Sequence, residues 1–167
     1  DSSGRRRRRR RSGKKEGEKI VVGKLPIPPG FMAWKQNVET TVVSCSRKGQ
    51  EESFDWIRAV YKAVDEDAMA LLVSRPRTSW ESLDAKLRTA LLHITIGELG
   101  RLIHAANEEH IFQNQRMLSG RQILWHIYRH YRFDESRKLE FTLYDLSQIK
   151  FSGKDKDLEH YLLSWKE

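Results

Sequence analysis

Six histidines, one cysteine and a run of seven arginines are the residues of this sequence with the most direct chemical potential. His126 and His130 stand four apart, a spacing that puts two imidazoles on one helical face, as in a zinc pair. The helix metalloprotease signature also needs Glu directly after the first His. Ile127 stands there instead, and no third ligand lies nearby in the sequence. The pair therefore reads as basic surface histidines among arginines, and His93, His104, His110 and His160 are scattered thinly. Cys45 falls on an apolar stripe, where a free thiol behaves as a small hydrophobe, and no neighbouring base marks it as a nucleophile. Asp65, Glu66 and Asp67 point in different directions from a helix, so they do not converge on a hard cation. No P-loop, no Gly-x-Ser-x-Gly elbow and no Asp-Thr/Ser-Gly triplet occurs; Asp1-Ser2-Ser3-Gly4 has the wrong spacing. The sequence assigns no catalytic residue, no metal and no cofactor.

The arginine run is a different kind of site. Residues 1–19 hold a net charge of +7, so the other 148 residues hold only +1 of the chain's +8. Such a segment buries no apolar surface and reads as a disordered, solvated arm. Arg5, Arg6, Arg7, Arg8, Arg9, Arg10 and Arg11, with Lys14 and Lys15, are the candidate nucleic-acid contacts, since clustered cations meet polyanions. A nuclear-localisation signal, an RNA-contacting arm and a low-complexity flank all remain open for it. No apolar tract of membrane-spanning length exists, and no apolar segment of a secretory signal follows the basic start. A single cysteine excludes an intramolecular disulfide and fits a reducing intracellular compartment, cytoplasmic or nuclear.

The elements beyond the arm are helical by pattern. Three of the four prolines lie in residues 20–30, which predicts an extended lead-in. Phe31, Trp34, Val38, Val42 and Cys45 mark a first helix ending near Arg47-Lys48-Gly49. Ser53 opens a second, with Phe54, Ile57, Val60, Tyr61 and Val64 as its buried side. Residues 68–73 either continue it or form a short helix of their own. After Pro76, Thr78 and Glu81 have capping-box spacing, and Leu83, Leu87, Ala90, Leu91 and Ile94 form the clearest amphipathic stripe. Gly97 and Gly100 predict a bend or a helix-to-helix step. Leu99, Leu102, Ile103 and Ala106 carry the apolar side on to about Phe112.

Residues 118–131 hold the strongest local signal. Ser119 and Gln122 have the spacing of a reciprocal capping box, and Leu118 and Ile123 that of a hydrophobic staple. Ile123, Leu124, Ile127, Tyr128 and Tyr131 share one face, while Arg121, Trp125, His126, Arg129 and Arg132 lie around the rest. Further on, Leu139, Leu143, Leu146 and Ile149 mark another helix. Leu158, Tyr161, Leu162 and Trp165 begin a last one whose stripe still runs at Glu167, which suggests a fragment.

The order of these segments is similar to the Gag-like region of copia-type LTR retrotransposons, in its dinoflagellate-type variant. The likeness spans about residues 25–167. It rests on SLDAKLRTALLHITIGELGRLI, GRQILWHIYRHYRF and LEFTLYDLSQIKFSGKDKDLEHYLLSW, with Pro28, Gly30, Phe31 and Trp34 as the lead into the first helix. It comes from spaced apolar positions, not from an invariant catalytic motif. The resemblance implies a helical capsid-type domain that self-associates around the element's RNA. The family's zinc knuckle would lie beyond Glu167, and its protease, integrase and reverse-transcriptase signatures are absent from these residues.

The expectation is an all-α fold, a multi-helix orthogonal bundle of about six to eight helices. Residues 1–24 are the disordered arm and linker, and 25–167 the helical Gag-like domain, truncated at its C-terminus. Trp34, Leu87, Leu91, Trp125, Tyr128, Leu143, Leu146, Tyr161 and Trp165 are its expected structural core. The expected partners are a second copy of the chain and RNA or another nucleic acid, with no membrane span and no enzymatic activity. The alternative is a nuclear nucleic-acid-binding or adaptor protein acting through the arm on a helical scaffold.

Overall fold

A computed structural model describes residues 14–73 and 78–132. All regular secondary structure among these residues is helical. A 3-10 turn, Pro28–Gly30, leads into α1 (Phe31–Cys45), followed by α2 (Gln50–Lys62), α3 (Glu66–Ala70), α4 (Glu81–Ile94) and α5 (Gly97–Asn114). Helix α6 is described over residues 120–132. The chain divides into two compact units, Asp1–His126 and Ile127–Glu167.

Helix α1 buries Phe31, Trp34, Val38 and Val42, one residue per turn on one side, and Cys45 at its end is half-buried. Helix α2 starts at Gln50, earlier than Ser53, and its buried face is Ser53, Trp56, Ile57 and Val60. This corrects the expected face: Phe54 is 39% exposed and Val64, beyond the helix end, 80%. Ser53 can occupy the inner face because its hydroxyl donates to Gly49 O at 2.8 Å. Phe54 instead lies beneath the Arg58 guanidinium, and the ammonium of Lys35, on α1, sits 3.9 Å from the Tyr61 ring.

Residues 66–70 form a helix of their own. Asp65 is its N-cap, accepting from Ala68 N–H at 2.8 Å. Helix α4 buries Leu83, Leu87 and Leu91 as the stripe predicts, and also Asp84, which the stripe does not predict. The step between α4 and α5 falls at Thr95–Ile96, with Gly97 at a φ of 65°. On α5 only Leu99 and Ile103 are buried, a second correction: Leu102 is 51% and Phe112 89% exposed.

The third correction concerns the chain start. Residues 16–23, expected within the solvated arm and its linker, lie packed as an extended strap. Gly17 N–H donates to Cys45 O at 2.8 Å, Ile20 is 5% exposed, and Trp34 Nε1 donates to Gly23 O at 3.0 Å. Enough apolar surface lies just past the lysines to dock this segment, which an average over nineteen residues conceals.

Candidate functional site

Among the described residues of the first unit, polar contacts concentrate at the start of α6. Four N–H groups at a helix start have no partner within the helix. Here each finds one. Gln122 N–H donates to Ser119 Oγ at 3.2 Å, and Gln122 Oε1 accepts from Ser119 N–H at 2.8 Å, the reciprocal capping box. The Gly120 and Arg121 N–H groups donate to the two carboxylate oxygens of Asp84 on α4, at 3.0 and 3.1 Å. Leu118 and Ile123, the staple pair, are each 1% exposed, and Leu118 N–H donates to Asn107 Oδ1 of α5 at 2.9 Å.

Side chains from Ser119 to Trp125 tie the start of α6 to α2 and to the segments that follow α2 and α3. Ser119 Oγ donates to Leu72 O at 3.3 Å, and Trp125 Nε1 to Ala63 O at 2.8 Å, just past α2. The Arg121 guanidinium donates to Trp56 O at 3.2 Å and lies 4.7 Å from the Trp56 ring centre. Trp56 in turn stacks on Trp80, with centroids 5.0 Å apart and planes 9° from parallel. Burial pushes the Asp84 carboxyl above its ordinary value, against the Gly120 and Arg121 amides and the nearby arginine charges. Burial likewise lowers Arg121, against the pull of Asp84. This constellation fastens helices; it presents no open position for a substrate.

A second cluster holds the strap. Glu16 accepts from Ser82 Oγ at 2.7 Å and from Lys86 Nζ, and Lys86 also donates to Gly17 O at 2.8 Å. Burial tends to raise the Glu16 carboxyl. The hydrogen bonds from Lys86 and Ser82 and the charges of Lys86 and Arg47 outweigh it and hold Glu16 below its ordinary 4.5. An ionised Glu16 of lowered basicity is a poor base for Ser82, so the trio is a latch and not a nucleophile with its activator. A carboxylate depressed in the folded state stabilises above its unfolded pKa, and that contribution is lost as pH falls through the folded value. Acidification below about pH 4.5 is therefore expected to free the strap. Amide exchange at Gly17 should accelerate before global unfolding, and Glu16→Gln should show that faster exchange already at neutral pH. Equal Gly17 exchange in the two proteins at neutral pH would contradict the latch.

Between the strap and α4 runs an open, mainly apolar groove of about 920 Å³, walled by Ile20, Val22, Lys86, Ala90, His93 and Ile94 among others. Of its polar wall residues, Ser82 and Lys86 are engaged by Glu16, and Glu18, Lys19, Thr89 and His93 are the others. Among the described residues no group of three or more His, Cys, Asp or Glu is placed to hold a metal ion. No family model, curated protein or solved structure matches this chain.

Of the expected core, Trp34, Leu87, Leu91 and Trp125 are buried, at 6, 0, 0 and 2% exposure. Tyr128 is only half-buried, with the Arg132 guanidinium 5.8 Å from its ring. It is thus less enclosed than the expected core position; among the described residues of the second unit, Ile127 and Tyr131 are buried. Leu143, Leu146, Tyr161 and Trp165 lie outside the described residues, as do Arg5, Arg6, Arg7, Arg8, Arg9, Arg10 and Arg11. Lys14 and Lys15 are exposed, and Lys14 Nζ donates to Val43 O at 3.4 Å. No helix among the described residues is long and apolar enough to cross a membrane. Asp84, Trp56, Trp80, Glu16 and Lys86 are the residues that sequence reasoning missed. Each acts through a partner distant in sequence, so no local spacing marks it.

Proposed function

We propose that this chain is a non-enzymatic, Gag- or capsid-like assembly module that self-associates and packages RNA, the arginine arm contacting the nucleic acid. The observation that carries this reading is the partition of charge. Nearly the whole net charge precedes a strap that is latched to an almost neutral helical body. A cationic arm tethered to a body that repels its own copies little is suited to bring many copies onto one polyanion. The all-helical body and the expected Gag-like resemblance agree with it.

The latch sharpens the test. Residues 1–13 can be removed without touching the Glu16 contacts. If seven arginines neutralise about seven phosphates of single-stranded RNA, log affinity should fall against log salt with a slope of about −5. Removing residues 1–13 should abolish RNA binding while the circular dichroism of the body is unchanged. A flat salt dependence, or undiminished binding by the truncated chain, would sink the electrostatic account. The same partition favours one other reading, a nuclear adaptor whose arm is the working part. For the adaptor, truncation removes its only association. For the assembly module, self-association detected by light scattering survives it.

A further inference from the structure

Helix α5 is packed at one end only. Leu99 and Ile103 are its buried residues, and none from His104 to Asn114 is buried. Its outward side carries three lines of residues one heptad apart, a spacing that returns to nearly the same direction on a helix. One line is Glu98, Ala105 and Phe112; flanking it are Arg101 with Glu108, and Leu102 with Glu109. All seven are exposed, Phe112 at 89% and Leu102 at 51%. Among the described residues their polar contacts are short-range: Arg101 with Glu98, Glu108 with His104 at 3.6 Å, and Glu109 with Gln113 at 3.0 Å.

We infer that this face is a homotypic contact: α5 of one copy lies antiparallel on α5 of a second, crossing at Ala105. Arg101 and Glu108, one heptad apart on one line, make that line complementary to its own copy and set the direction. A two-fold axis through Ala105 sets Arg101 of each copy beside Glu108 of the other, making two equivalent ion pairs. A parallel pairing would set Arg101 on Arg101 and Glu108 on Glu108, like charges in contact. The methyl of Ala105, at the crossing, lets the two backbones approach closely. Phe112 of each copy then covers the partner's first turn, beside the aliphatic stem of its Arg101. A single-helix contact of this length falls at or below the low end of stable interfaces, roughly 1,200 Å² in total, so the pairing is weak and concentration-dependent. Many weak pairs held together on one RNA reinforce one another.

The inference rests on the self-association reading and specifies its surface, so the test separates the two. The full chain with Cys45→Ala provides a thiol-free background. In it, Ala105→Cys places one thiol on the two-fold axis and should give a covalent dimer on mild oxidation. Gln113→Cys should not, because its symmetry mate lies about 24 Å away along the pair of helices. In sedimentation, Arg101→Glu should weaken self-association roughly tenfold or more, and Arg101→Glu with Glu108→Arg should restore it. A chain that self-associates without cross-linking at Ala105, or whose charge swap restores nothing, overturns this surface while leaving self-association standing. A chain that stays monomeric at high concentration overturns both. Protection of Phe112 from solvent that does not vary with concentration would assign the face to another part of the same chain, and also overturns the inference.

Discussion

Replacing Gly120 with alanine is expected to destabilise the protein by about 3 kcal/mol, near the upper end of what overpacking a well-filled site costs. The sign is the informative part, because alanine within a helix ordinarily stabilises relative to glycine by up to about 1 kcal/mol. A Cβ at position 120 would stand 2.5 Å from Asp84 O and 2.7 Å from Arg88 N, with Leu87 Cβ at 3.0 Å. The first two are backbone atoms inside α4, so no side-chain rotation relieves the overlap. Either α6 withdraws from α4, breaking the bonds to Asp84, or α4 bends. Gly23→Ala is the control: no atom lies within 4 Å of the added carbon, and its effect should stay within about 0.5 kcal/mol. Urea unfolding followed by tryptophan fluorescence measures both, with the midpoint falling at an unchanged slope. A Gly120→Ala protein as stable as the parent would refute the close approach of α4 and α6.

Asp84→Ala is expected to cost about as much, by a different route. Asp84 is 6% exposed, and its carboxylate accepts two backbone N–H groups that have no other acceptor at the start of α6. Leaving a buried donor unsatisfied costs roughly 1–3 kcal/mol, so losing both acceptors should cost about 4 kcal/mol. Asp84→Asn retains one carbonyl oxygen but turns an amide N–H toward the second donor, so it should fall between alanine and the parent. Asp84 also makes the stability of the parent depend on pH. Burial raises the folded pKa of Asp84 above its ordinary 3.8. The folded protein then binds more protons than the unfolded one between those two values. The sign follows: stability linked to Asp84 is highest below the ordinary value and declines as pH rises through the raised one, then stays level. Asp84→Asn should remove this slope, so the gap between parent and variant should be widest in acid and narrow on the way up. A gap that widens with rising pH would reverse the assigned direction of the shift.

Both substitutions act on a junction only half of which was legible in the sequence. Ser119, Gln122, Leu118 and Ile123 lie within five residues of one another, and their bonds close inside one turn. Nothing beyond that stretch of chain is needed to make them, so spacing alone predicted where α6 begins. The same holds for the stripe Leu83, Leu87 and Leu91, because a helix converts sequence period directly into a face. Where two faces compete, the pattern is insufficient. On α2 the choice between Phe54 and Trp56 turned on a satisfied serine and on which side α1 covers. On α5 half of an apolar stripe received no cover from the described residues.

The rest of the junction depends on chain segments brought together from far apart. Asp84 reaches the start of α6 across 36 residues, and Glu16 reaches Lys86 across 70. In the sequence Asp84 is one more acid beside a leucine stripe, and Gly120 one more small residue after a cap. Burial makes the first an acceptor for two orphan amides, and the closeness of α4 makes the second irreplaceable. Period and capping are properties of a few neighbouring residues; they specify the helices and, at α6, where one begins. Which polar side chain closes a helix end, and which glycine lets two backbones meet, are properties of the packed pair. They exist only once the helices have docked.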